Sequence, residues 1–360
     1  MDIKTKLLIK PEEIRPTTKA FKVRGVFNPA AVRLPDNRIL LFARVAETPI
    51  HGEQTFIAPR FSGKKSLKLH MDLVKRSKLK FKDNTFIMDN RILRLPTISH
   101  FRKILLDESG ENVLNISQKP DFFGLNGDGD FGVEDPRITF FKREKFYAMT
   151  YVSISEGSSV CTSLAISKNP GNWKRKGVIF RQQNKDVVIF PEKFKGYYVA
   201  LNRPEGTMVF DKPSIWISYS RDLLFWGKDR PIVAPRQNCW DDFRVGSGSV
   251  PIKTGEGWLT IYHGVTSKTE DPNSKKIYSA GALLFDLKNP EKIIARTPAE
   301  APLLKPTYDF ENEGFNGGVI FPTASIPSLD GKNLLIFCGV ADSNVVLKKI
   351  KLADVLNSLG

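Results

Sequence analysis

Cysteine is scarce in this 360-residue chain, with Cys161, Cys239 and Cys338 the only three. So few, so far apart, make no disulfide framework, and a reducing, cytoplasmic setting is expected. Long hydrophobic runs are missing too. The longest, such as 39–43 and 334–338, are five residues, far short of a membrane-spanning helix. Residues 1–6 hold no apolar stretch of signal-peptide length. The four histidines (His51, His70, His100, His263) are dispersed, and without HExxH or CxxC spacing no metal site is expected. GxSxG and Walker A motifs are absent, and no GxGxxG stands in a strand-to-helix context. Ser247, in Gly246-Ser247-Gly248-Ser249, has no identifiable base, so its glycines are read as serving close backbone packing. Helical periodicity is nearly absent, with 353–359 the best helix candidate.

What is present is a globular composition, 41% hydrophobic and 26% charged, long enough for a sizeable core. Lys and Arg number 55 against 39 Asp and Glu, a net charge of +16. Such a total invites a nucleic-acid or acidic-ligand reading. Its distribution argues otherwise. Residues 60–103 hold 13 Lys and Arg against 3 Asp and Glu, which leaves +6 for the rest of the chain. No recognisable nucleic-acid module is present, and the basic stretch reads as an arm.

The informative feature is an imperfect repeat. A short strand, a polar turn and a β-rich apolar strand recur five times. The paired strands fall at 28–34 with 38–44, 134–140 with 146–151, 190–194 with 197–203, 249–252 with 258–263, and 321–326 with 334–342. A third strand follows at 164–168, 215–222, 280–286 and 345–351. A two-sheet sandwich or two β domains would also be all-β. Five units, each too thin to bury both faces alone, favour a five-bladed β-propeller over 1–360, with an insertion at about 60–120 in the long first interval.

In a propeller the innermost strands line a central channel whose mouth takes the ligand. Arg44, Arg203, His263 and Asp342 close second strands, and Asp135 and Arg137 open a first strand. Any one of these reads as a strand end reaching solvent; together they fit a site for a polar, anionic ligand. Pro136 is expected to bias Asp135 towards an extended conformation. Arg137 could equally make Asp135 part of a structural ion pair.

These residues carry a resemblance. Phe27-Asn28-Pro29-Ala30, Gly132-Val133-Glu134-Asp135-Pro136-Arg137, Asn184-Lys185-Asp186, Phe190-Pro191-Glu192-Lys193, Asn202-Arg203-Pro204, Ile261-Tyr262-His263-Gly264 and Gly339-Val340-Ala341-Asp342 follow in order over nearly the whole chain. They are similar to the motifs of glycoside hydrolase family 130, five-bladed propellers dominated by inverting β-mannoside phosphorylases. The resemblance implies that Asp135 is the catalytic acid, protonating the leaving oxygen through the mannose 3-hydroxyl while phosphate attacks the opposite face. It implies that Lys185, Arg203 and His263 bind phosphate, with Arg44 or Arg60 adding a guanidinium. Asn28, Arg137, Asn202, Asp186, Tyr262 and Asp342 are the implied sugar contacts. The implied reaction splits a β-1,4- or β-1,2-linked manno-oligosaccharide, or a mannosyl-glucose or mannosyl-N-acetylglucosamine, into α-mannose 1-phosphate and acceptor. Phosphate is then a co-substrate, and no cofactor is implied.

An inverting hydrolase needs a second carboxylate to activate water, whereas phosphate needs only positive charge to hold it in line. Two departures stand out: Asn202 where the family usually has His, and Cys338-Gly339-Val340-Ala341 where an aromatic residue and Gly-Ala-Ala are usual. The competing expectations are a β-mannoside hydrolase and a non-catalytic propeller that grips a glycan or nucleic acid. The expected partners are the mannoside and phosphate, with neither nucleic acid nor membrane, and the arm is a candidate contact for a homo-oligomer.

Overall fold

The computed structural model describes residues 1–360 except 79, 83–84, 88–92, 207, 209 and 268–274. The described residues build five antiparallel sheets around one axis, a five-bladed propeller. From the axis outward, the first blade is Phe21–Arg33, Ile39–Pro49, Ile98–Leu106 and Val113–Ile116. The second is Gly132–Phe141, Phe146–Ser155, Ser159–Ser167 and Lys174–Phe180. The third is Asn184–Ile189, Tyr198–Pro204, Ile215–Ser220 and Trp226–Val233. The fourth is Arg244–Ser247, Trp258–Ser267, Lys276–Phe285 and Ile293–Arg296, with Ile252–Lys253 also pairing Trp258–Ser267. In the fifth, Ile320–Pro327, Asn333–Val340 and Asn344–Lys351 are completed by Ile3–Ile9 from the other end of the chain. That pairing, from Ile3 against Ile350 to Ile9 against Val345, closes the ring.

The middle strands explain the short apolar runs. Side chains alternate between faces, and a blade meets a neighbour on each face, so both faces must be apolar. Leu41 faces the fifth blade with Leu335 and Phe337, while Leu40 and Phe42 face the second with Ile138 and Met149. Each of the five blade junctions has its own buried cluster. Lining the channel, small polar residues tie the inner strands together: Thr139 Oγ1 donates to the Ile189 carbonyl (2.9 Å), and Thr323 Oγ1 to that of Pro29 (2.7 Å).

Three sequence expectations shift. The inner strand of the third blade is Asn184–Ile189, and 190–194 forms the turn, closed by a bridge between Phe194 and Tyr197. In the fourth blade it is Arg244–Ser247 rather than 249–252. Glycine hid that strand, because a Cβ on Gly246 would lie 2.3 Å from His263 Cε1 and one on Gly248 2.5 Å from the Ile261 carbonyl. Close packing is indeed what these glycines provide. The C-terminal helix is Leu352–Asn357, and a short helix at Asp309–Asn312 was not expected.

Residues set apart from the first blade lie between its second and third strands. They include the hairpin of Thr55–Phe61 with Leu69–Lys75 and a small sheet of Lys80–Lys82, Thr85–Ile87 and Leu93–Arg94. Residues 98–116, expected in the insertion, belong to the blade; part of the basic stretch lies outside the described residues. No described helix is long and apolar enough to cross a membrane.

Candidate active site

In three consecutive blades the inner strand carries a bulge with a residue in the left-handed region: Asn28 (φ 46°), Asp135 (φ 48°) and Asp186 (φ 55°). A bulge leaves one residue unpaired and re-aims its side chain, and Asn and Asp tolerate this conformation best. Asp135 is therefore not extended. Pro136 disfavours only the right-handed helical region, and the bulge selects the left-handed one. Gly339 makes the matching room beside Asn28, since a Cβ there would lie 2.0 Å from Asn28 Oδ1.

These side chains meet in a cavity of about 200 Å³ at one mouth of the channel. On its first- and second-blade side, Asp135 Oδ1 accepts from Asn28 Nδ2 (2.8 Å) and Arg44 Nη1 (3.1 Å). Arg44 also pairs with Glu134 and lies over the Phe27 ring. Burial alone would raise the Asp135 pKa, but Arg44, Arg137, Asn28 and Lys185 outweigh it and hold the carboxyl below its ordinary range. The fifth blade adds Asp342, whose pKa burial pushes up, with Asp135 and Glu134 adding to the shift against Arg44 and Asn316.

The third- and fourth-blade side is cationic. Lys185, Arg203 and Arg244 line it with His263 and Tyr278. Asp186 accepts from Arg203 Nε (2.7 Å) and lies 3.6 Å from His263 Nε2. Burial drives the His263 pKa down to about 3; Asp186 opposes this, and Arg203, Arg244 and Arg137 reinforce it. His263 is thus neutral near pH 7, not one of the cations. Among the described residues, neither Lys185 nor Arg244 makes an ion pair. No described group of His, Cys, Asp and Glu is arranged to hold a metal ion.

The family model described as beta-1,4-mannooligosaccharide phosphorylase, that of glycoside hydrolase family 130, matches residues 97–360. The Beta-1,2-mannobiose phosphorylase of Listeria innocua is 34% identical over 98% of this chain and 96% of its own. The chain belongs to glycoside hydrolase family 130. The solved Listeria innocua Beta-1,2-Mannobiose phosphorylase in complex with beta-1,2-mannobiose superposes with a TM-score of 0.87 at 32% identity, covering 100% of this chain and 99% of that one. The 1,2-beta-oligomannan phosphorylase of a Thermoanaerobacter species is 37% identical over 62% of this chain and 70% of its own.

Of the residues singled out in this family-130 sequence, Asn28, Arg44, Asp135, Lys185, Asp186, Arg203, His263 and Asp342 share the cavity. Four do not. Arg60 sits on the inserted hairpin and pairs with Asp72 (3.2 Å). Asn202, on the middle strand, is buried between Asn184 and Ser218. Tyr262 faces the blade core, where its hydroxyl donates to Asp241 (2.9 Å), because strand alternation turns it away from neighbouring His263. Arg137 lies buried beneath the floor, donating to the Asp135 (3.0 Å) and Gly248 (2.5 Å) carbonyls. Arg44 is engaged by Glu134 and Asp135 on the carboxylate side of the cavity, and Arg203 in the cationic wall is likewise paired, with Asp186 and Glu205.

Sequence reasoning missed Arg244, Tyr278 and Asn316. The signal for Arg244 was its place two residues before a Gly-Ser-Gly-Ser stretch that is itself an inner strand. Tyr278 lies on a third strand that begins at Lys276, earlier than expected.

Proposed function

We propose that this chain cleaves a terminal β-linked mannoside with inorganic phosphate, releasing α-mannose 1-phosphate with inversion. The observation that carries the reading is one cavity with a cationic wall, Lys185, Arg203 and Arg244, on its third and fourth blades and Asp135 on its second. Inversion requires nucleophile and leaving group on opposite faces of the anomeric carbon. A phosphate anion needs positive charge and donors rather than a base, and this wall supplies both.

Asp135 is the acid, passing its proton through the mannose 3-hydroxyl to the leaving oxygen. In the free protein its cations favour the carboxylate. Phosphate arriving beside Lys185 offsets that charge and raises the Asp135 pKa, so loading the nucleophile prepares the acid. Arg44 and Asn28 fix the carboxyl, and Arg137 fixes the backbone that carries it. His263, neutral and close to Asp186, offers a hydrogen bond without a charge.

The names of the relatives favour a β-1,2 or β-1,4 linkage. The three free cysteines suit a cytoplasmic setting, which belongs to the same proposal. Incubation with β-1,2- and β-1,4-mannobiose, with and without phosphate, tests the reading. Turnover should require phosphate. Equal release of free mannose without it would overturn phosphorolysis in favour of hydrolysis.

A further inference from the structure

Five-fold geometry locates the leaving sugar. If phosphate sits against the third and fourth blades, the place across the axis from their junction is the first blade, flanked by Asp135 of the second and Asp342 of the fifth. An inverting displacement sends the departing sugar towards that side.

Two residues outside the described lining of that cavity stand on that rim. Phe315 is 57% exposed, and the Arg24 guanidinium covers its ring at 5.0 Å from the centroid. Arg24 precedes Gly25, where a Cβ would lie 2.4 Å from the Asp342 carbonyl, so the pair adjoins the cavity. The loop that carries Phe315 is held firmly. The Glu311 carboxylate, buried without exposure, accepts from the Thr307 (2.7 Å) and Tyr308 (3.1 Å) amides and pairs with buried Lys348. Phe315 N donates to Ser343 Oγ (3.0 Å), Asn316 N to the Ala341 carbonyl (3.0 Å), and Asn316 Nδ2 to Asp342 Oδ2 (3.3 Å). An exposed aromatic ring fixed in this way, one residue from cavity-lining Asn316, is preorganised for contact.

We infer that Phe315, backed by Arg24, is the platform on which the leaving sugar stacks, making this loop a determinant of acceptor choice. The inference rests on the mannoside reading above. A pyranose presents an apolar C–H face, and an aromatic ring with one side already covered offers the other to it.

The test runs the reaction in the synthetic direction, from α-mannose 1-phosphate with mannose or glucose as acceptor. Phe315→Ala should raise the acceptor KM about five- to tenfold and leave the donor KM unchanged, and Phe315→Trp should restore the acceptor KM. Arg24→Ala, which leaves the ring in place, should raise the acceptor KM less. An active wild type whose Phe315→Ala variant keeps its acceptor KM within twofold, or loses donor and acceptor affinity equally, overturns the platform alone. A wild type that transfers mannose to no acceptor overturns the mannoside reading and the platform with it.

Discussion

The channel's two mouths are built from the same inner strands, yet they differ in chemistry. At one mouth, ionisable side chains from all five blades crowd a cavity of about 200 Å³. At the other, a hollow of about 150 Å³ is lined by Ala31, Val32, Ile138, Val250, Ile252 and Ile326, with Arg33 the sole ionisable group among its described lining. In the first two blades the bulge divides them. Within it stand Asn28 and Asp135, each itself in the left-handed region, and after it the strand resumes regular pairing, with Ala31, Val32 and Ile138 lining the second hollow. A propeller can therefore concentrate charge at one end while the other end supports the blades.

Substitutions should break that contrast unequally. The largest effect is expected at the active mouth: Asp135→Asn should lower kcat about 10²- to 10⁴-fold while the chain stays folded. A near-native rate would place the acid elsewhere. Lys185→Ala comes next. No described ion pair engages Lys185, so its removal breaks no direct salt bridge. It should raise the phosphate KM about tenfold or more with little change for the mannoside, as steady-state titration of each substrate would reveal.

A pH titration of stability sharpens the contrast in another way. His263 titrates near 3 in the folded chain instead of its ordinary 6.5. Between those values the unfolded chain binds a proton that the folded one refuses, so stability falls as pH drops through that window. Replacing His263 with Asn should flatten this part of the curve, measured as denaturant midpoints from pH 7 to pH 4. The smallest effect belongs to the apolar mouth. Ile138→Val should cost about 0.5–1.5 kcal/mol of stability and leave kcat and both KM values unchanged; a loss of activity there would mean that the two ends are coupled.

Much of this was legible in the sequence because strands and polar motifs leave local marks. Hairpin turns and apolar runs gave all five blades, Asp135, Arg203, His263 and Asp342 stood out at their ends, and Lys185 came only from the family resemblance. The inner strand Arg244–Ser247 was illegible because it is four residues long and holds Gly246, set by the close approach of His263 rather than by strand propensity. Tyr262 and Asn202 misled for the opposite reason: adjacency in a strand puts neighbours on opposite faces, and motif membership does not say which face. Asn316 sits in a loop whose shape depends on the buried pairing of Glu311 with Lys348, 37 positions apart, which no local pattern reveals. Closure of the ring by Ile3–Ile9 is likewise a long-range pairing.

The most direct test of the account is ³¹P NMR of the wild-type chain turning over a β-mannobiose in phosphate. A cationic wall facing Asp135 across the sugar predicts the α anomer of mannose 1-phosphate, formed in step with acceptor release and absent when phosphate is withheld. Free mannose at the same rate with or without phosphate, or the β anomer of the product, would contradict it.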